Sequence, residues 1–211
     1  MRRHFWLKSL GITAFMCVFF VGYFHVLRHP VRAVVLMPLT ALDQWIEFAP
    51  AALLAYVSLW VYVGIAPMLI ESVRALLRFG LWIGALCAVG LACFYLWPTA
   101  VPPQTLNFAS HAAFAVLQGV DAAGNACPSL HVATAVFSAL WVDRLLAELA
   151  AGPRWRWLNA AWLLLIAYST LAIKQHVLLD VLAGAVLGLV FAWLSLPRQR
   201  SGQAAAIMRA G

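Results

Sequence analysis

Long apolar runs broken by short polar interruptions set the layout of this chain. Ser9 to Leu27 is apolar apart from His25, and Phe48 to Ile70 runs 23 residues without a charge. Phe79 to Trp97 follows and is closed by Pro98. A fourth run opens at Pro128 and loses its apolar character at Asp143-Arg144. Trp157 to Ile173 and Val177 to Leu196 complete the set. A helix needs about 20 apolar residues to cross the hydrocarbon core of a bilayer. The pattern predicts an all-α polytopic membrane helix bundle in one domain over 1–211, with six spans near 9–27, 48–70, 79–97, 128–147, 157–173 and 177–196.

The connectors are short except for two. Residues 28–43 carry Pro30 and Pro38; the external loop 98–127 carries Pro102 and Pro103 and a run near Phe108 to Val120 that could be a short interfacial helix. Spans five and six are joined by only Lys174-Gln175-His176 and must form an antiparallel hairpin. Gly184 and Gly188 in the sixth span form a GxxxG pair, which permits close helix approach. The polar tail 198–211 is expected to fray. No A-x-A-like cleavage site follows the first run, so it is expected to be a span and not a signal peptide.

Composition agrees. Hydrophobic residues make up 65% of the 211 and charged ones 10%, against roughly 25% in water-soluble domains. The net charge is +7, yet Lys and Arg are scattered between apolar runs with no dense basic patch, which argues against a nucleic-acid partner. The four cysteines form no CxxC; Cys17, Cys87 and Cys93 fall in apolar runs as small hydrophobes, and nothing beside Cys127 would stabilise a thiolate.

The basic residues instead orient the bundle. With six spans, eleven Lys and Arg fall on one side (Arg2, Arg3, Lys8, Arg74, Arg78, Arg144, Arg154, Arg156, Arg198, Arg200, Arg209) and three on the other (Arg28, Arg32, Lys174). The excess predicts that both termini are cytoplasmic. The loop 98–127 and the Lys174–His176 turn then share the outer face, the periplasmic one if the membrane is a bacterial inner membrane.

That face collects the ionisable residues. Pro128-Ser129-Leu130-His131 begins the fourth span. Pro suits a helix's first turn, Ser129 supplies a hydroxyl, and the free N–H groups and positive dipole end favour a phosphate. Taken alone, the same four residues also read as a capped helix with an interfacial His. His176 and Asp180 are spaced i, i+4, which on a helix would bring them one turn apart. An Asp there can fix the imidazole tautomer and leave the other nitrogen free to attack. A carboxylate inside an apolar span is costly and usually functional. Lys174 is one of two lysines and is expected to bind phosphate oxygens, or else to snorkel to the interface. Asp43 and Glu47, beside the second span's outer end, and His111 in the loop could meet a head group or line an entrance. His4, His25 and His29 read as interfacial histidines.

Together these residues resemble the type 2 phosphatidic acid phosphatase superfamily. Pro128-Ser129-Leu130-His131 is similar to its P-S-G-H motif, and Ser169-Thr170 with His176 and Asp180 to its S-R-x5-H-x3-D motif. Leu130 replaces the motif Gly and Thr170 the motif Arg, and the K-x6-R-P motif is absent. This combination looks more like the branch of inositol phosphorylceramide and sphingomyelin synthases. The resemblance implies that His176 is the nucleophile, Asp180 its orienting carboxylate and His131 the acid and base. Ser129, Lys174 and Ser169 would hold phosphate, with Asn125 another possible head-group contact. It implies no metal and no cofactor. The partners expected are a lipid phosphate and membrane lipids, with oligomeric state open. A phosphatase and a lipid-to-lipid phosphotransferase both remain. A proton-coupled transporter or an inactive scaffold are the other classes, but the ionisable residues gather at one interface and no inverted repeat is visible.

Overall fold

The structure is a computed structural model that describes residues 4–103 and 124–197. It is mostly helical. α1 (Phe5–Arg28) leads to a short strand β1 (Val35–Leu36) and a one-turn helix α2 (Ala41–Trp45). A 3₁₀ turn (Pro50–Ala52), α3 (Leu53–Val57) and α4 (Leu59–Leu69) follow, then α5 (Val73–Leu96) and β2 (Thr99–Ala100). α6 (Leu130–Glu148), α7 (Pro153–Ala172) and α8 (Leu178–Ser195) complete the bundle.

Among the described residues, five helical stretches are long and apolar enough to cross a membrane: 5–28, 50–69, 73–96, 130–148 and 178–195. The expected fifth span, α7, has 20 residues, about 30 Å of helix. It falls short on composition, because Arg154 and Arg156 occupy its first turn and Asn159 its body. The expected span 48–70 is not one smooth helix. It is stepped at Ser58, whose hydroxyl donates back to the Ala55 carbonyl at 2.6 Å, and Pro67 removes a backbone donor further on. The expected interfacial helix near 108–120, His111 and the tail 198–211 lie outside the described residues.

α6 is the central element. Ala133, Ala135 and Phe137 on it are fully buried, and α4, α5, α7 and α8 all pack around it. Small residues set the closest approaches. A Cβ on Gly184 would sit 2.3 Å from the Ser129 carbonyl oxygen, and one on Gly188 2.5 Å from that of Ala133. The two glycines therefore let α8 lie directly on the α6 backbone, as the GxxxG spacing predicts. On the other flank, a Cβ on Gly90 of α5 would meet Leu130 Cδ2 at 2.3 Å, so Leu130 fills the hollow left by that glycine.

Buried polar groups are tied across helices. Tyr62 of α4 donates to Asn159 Oδ1 of α7 at 2.7 Å, and Asn159 Nδ2 donates to the Ala139 carbonyl of α6 at 3.0 Å. Trp141 Nε1 donates to Ser195 Oγ at 2.8 Å, joining α6 to α8. Lys8, buried on α1, donates to the Met68 carbonyl at the end of α4 at 3.0 Å. A cation there meets both an orphan carbonyl and the negative end of the helix dipole.

One junction was not foreseen. β1 and β2 pair in parallel, Val35 with Thr99 and Leu36 with Ala100, and Asn125 bridges to Thr99 on its other side. Thr99 then gathers the next strand of chain: its carbonyl accepts from Ala126 N at 3.0 Å and its hydroxyl from Cys127 N at 2.8 Å. The connector after α1, the segment after α5 and the approach to α6 are thereby braided immediately before Pro128.

Candidate active site

Ser129 is the N-cap of α6 and is fully buried. Its Oγ accepts from Val132 N at 3.3 Å, the usual service of a capping serine. Its backbone N–H donates to the Asp180 carbonyl at 3.0 Å. That bond joins the start of α6 to the start of α8, two elements that are 51 residues apart in the chain at this contact. The close approach at Gly184 makes it possible.

His131, in the first turn of α6, is half-buried. Its Nε2 donates to the Tyr56 carbonyl at 3.0 Å, since a carbonyl can only accept. Its ring stacks on the Tyr56 ring with centroids 3.9 Å apart and planes 10° from parallel. Both contacts come from α3. They leave Nδ1 as the nitrogen available for proton exchange.

His176 and Asp180 meet, though not as two residues of one helix. His176 sits in the turn after α7, one residue before the α8 N-cap Val177, and Asp180 is the third residue of α8. Asp180 is fully buried, and its Oδ2 accepts from Val177 N at 2.9 Å. His176 Nδ1 lies 3.6 Å from the same oxygen, just beyond hydrogen-bond length. Only 9% of the His176 side chain is exposed, and among the described residues neither its Nδ1 nor Asp180 Oδ1 has a hydrogen-bond partner. Catalytic hydrogen bonds are often long before substrate arrives and tighten with it.

The structure redirects Lys174. The residue follows the last turn of α7 with φ 60°, the left-handed conformation that commonly ends a helix. The reversal carries its side chain to the 28–49 connector, where Nζ donates to the Asp43 carbonyl at 2.9 Å and also to the Ile46 carbonyl. Burial pulls this ammonium below the ordinary lysine range, while the nearby Asp43 acts in the opposite direction. Two of its three donors are thus committed to backbone.

The other expected contacts sort themselves similarly. Asp43 is buried; Oδ2 accepts from Thr40 N and Thr40 Oγ1, both at 2.7 Å, and Oδ1 accepts from Leu178 N at 2.8 Å. Ser169 is buried and donates to its own helix at the Ile166 carbonyl, 2.6 Å away. Thr170, at the motif-Arg position, does likewise to Ala167 at 2.8 Å; its carbonyl accepts from Gln175 N and His176 N, each at 3.1 Å. Asn125 Nδ2 donates to the Tyr23 hydroxyl on α1 and lies in the Thr99 junction. Cys127 is half-buried, and burial first, then the Asp180 carboxylate and Cys93, push its thiol up to about 11. It is therefore a neutral thiol at ordinary pH.

A cavity of about 480 Å³ opens onto His176. Leu171, Lys174 and Val177 line it together with Asp43, Gln44 and Glu47 of the connector. Glu47 is exposed, so it and Gln44 are the cavity's outer polar groups. Among the described residues no three His, Cys, Asp or Glu side chains gather as metal ligands would.

A family model described as PAP2 superfamily matches residues 97–201. This half of the chain belongs to the PAP2 superfamily. Its matched region contains Ser129, His131, Ser169, His176 and Asp180, the residues that stand in the two motifs. No match was found among curated proteins or among solved structures. Membership fits an integral membrane phosphatase or phosphotransferase. Tyr56 and Asp43, which touch His131 and the α8 N-terminus, lie outside the matched PAP2 region.

Proposed function

We propose that this protein is a six-span membrane phosphatase that removes phosphate from a lipid through a phosphohistidine at the outer interface. The observation that carries the reading is the meeting of the two PAP2 motifs: Ser129 N–H bonds the Asp180 carbonyl, and Asp180 faces His176. Both termini are cytoplasmic in this reading, supported by the eleven-to-three division of Lys and Arg.

The chemistry follows from which nitrogens are engaged. His176 carries its proton on Nδ1, toward Asp180, and its Nε2 lone pair attacks phosphorus. As the N–P bond forms, the bond to the lipid oxygen breaks, and His131 Nδ1–H gives that oxygen its proton. Water then yields a proton to His131 Nδ1, its oxygen bonds phosphorus and the N–P bond breaks. Inorganic phosphate leaves, with both histidines restored. Asp180 stabilises the imidazolium-like phosphohistidine. Backbone N–H groups of the first α6 turn, the Ser129 hydroxyl and the third Lys174 donor are the groups at hand for phosphate oxygens.

A phosphotransferase would replace the water with a lipid alcohol at the same step. The absence of the motif Arg and Lys, shared with the synthase-like pattern, favours keeping it as a second reading. Release of inorganic phosphate from a panel of lipid phosphates, with and without an alcohol acceptor, separates the two. His176→Ala should abolish both turnover and trapping of labelled phosphate on the protein; retained turnover would refute the nucleophile.

A further inference from the structure

We propose that Asp43 is a positioning residue for the attacking histidine, acting from a part of the chain outside the PAP2-matched region. The inference rests on His176 being the nucleophile.

Asp43 is engaged within the protein. Both of its oxygens are occupied, by Thr40 N, Thr40 Oγ1 and Leu178 N, and the residue is buried. Its partner Leu178 is two residues beyond His176 and is the first residue of α8. The N-terminal N–H groups of that helix are therefore shared between two carboxylates. Asp180 takes Val177 N from inside the helix, and Asp43 takes Leu178 N from the connector. Negative charge there is favoured by the dipole, and each bond removes an orphan donor beside an apolar core.

The connector is fixed to the same turn from the other side. Lys174 Nζ donates to the Asp43 and Ile46 carbonyls, and Ala49 N donates to the Ala172 carbonyl at 2.9 Å. Residues 43–49 thus hold 172–178 at both ends. His176 sits between these ties, its own N–H bonded to the Thr170 carbonyl. The bracket also shapes the cavity, because Asp43, Gln44 and Glu47 line it together with Lys174 and His176. A carboxylate bonded to Thr40 on one side and to Leu178, two residues from the nucleophile, on the other controls where the imidazole stands.

Losing such a tie should cost turnover more than binding, since a displacement near 1 Å can lower rate about 100-fold. The measurement is steady-state kinetics and phosphohistidine trapping on the full chain in detergent micelles, using phosphatidate as the probe, with thermal unfolding alongside. Asp43→Ala should lower kcat roughly 30- to 100-fold, with KM within about 2-fold and phosphohistidine reduced in proportion. Asp43→Asn retains an oxygen for Leu178 N and should recover kcat to within about 5-fold of the parent. Thr40→Val removes the hydroxyl bond to Oδ2, leaves the backbone bond and serves if Asp43→Ala fails to fold; it should lower kcat a few-fold at unchanged KM. A raised KM at unchanged kcat would overturn the proposal by making Asp43 a substrate contact. Equal losses in Asp43→Ala and Asp43→Asn would overturn it by making the charge, not the tie, decisive. If the unaltered protein turns over without trappable phosphohistidine, it is the nucleophile reading that fails, and the Asp43 comparison is then read on kcat alone.

Discussion

The contact at Gly184 gives a sharp test of how the site is assembled. Replacing Gly184 with Ala adds one methyl group at a point 2.3 Å from the Ser129 carbonyl oxygen, 3.1 Å from the Ser129 carbonyl carbon and 3.2 Å from its Cβ. Every close neighbour is Ser129, and the nearest is backbone, so no side chain can swing aside. Ordinary contact begins at 3.4 Å, so α8 must retreat from the start of α6 by about 1 Å. The Ser129 N–Asp180 O bond, 3.0 Å long, runs across this same gap and would open beyond hydrogen-bond length. Overpacking of this kind costs about 1–3 kcal/mol. The larger effect is functional, because the retreat separates Ser129 and His131 from Asp180 and His176. Gly184→Ala is expected to lower phosphate release about 100-fold while the purified protein still unfolds cooperatively, a few degrees lower. Gly188→Ala, one turn deeper, should lower the unfolding temperature similarly with a smaller loss of activity. Full activity in Gly184→Ala would refute the argument that the helix–helix approach sets the geometry.

Other outcomes follow from single contacts. Tyr56→Ala removes the ring stacked on His131 while keeping the backbone carbonyl, and a loss near 1 kcal/mol should lower kcat for phosphate release 5- to 10-fold. Cys127 carries a thiol pushed up to about 11, so roughly one molecule in a thousand holds a thiolate at pH 8. Iodoacetamide should leave activity intact near neutral pH, with any modification of Cys127 rising about tenfold per pH unit below its pKa, as mass spectrometry would show. Rapid inactivation at pH 7 that Cys127→Ala prevents would contradict that environment.

The runs of apolar residues were legible because membrane-depth helices admit few substitutes, and the helices formed where those runs lie. The motifs were legible because a carboxylate and two imidazoles in so apolar a chain need a purpose. What escaped was mostly backbone. His131 is held by a main-chain carbonyl of Tyr56, 75 residues earlier, and no side-chain pattern announces an acceptor of that kind. Adjacency to His176 marked Lys174 as a phosphate ligand, but nothing in the sequence announced the left-handed turn that commits two of its three donors to carbonyls. The place of Asp43 beside a span was visible in the sequence, but its tie to Leu178 was not. The Thr99 junction rests on two-residue strands, too short to leave an alternating signature.

The pairing of Leu130 with Gly90 bears on how related sequences vary. The leucine stands where the motif has glycine, and its side chain occupies space that a Cβ on Gly90 would claim at 2.3 Å. Leu130 of α6 thus fills the volume that Gly90 leaves open on α5. Relatives should therefore exchange the two positions together: a glycine at the motif frees its α5 neighbour to grow, and a leucine there requires that neighbour to stay small. A motif written along one helix is in this respect a property of two, and departures from it are interpretable only with the facing residue in view.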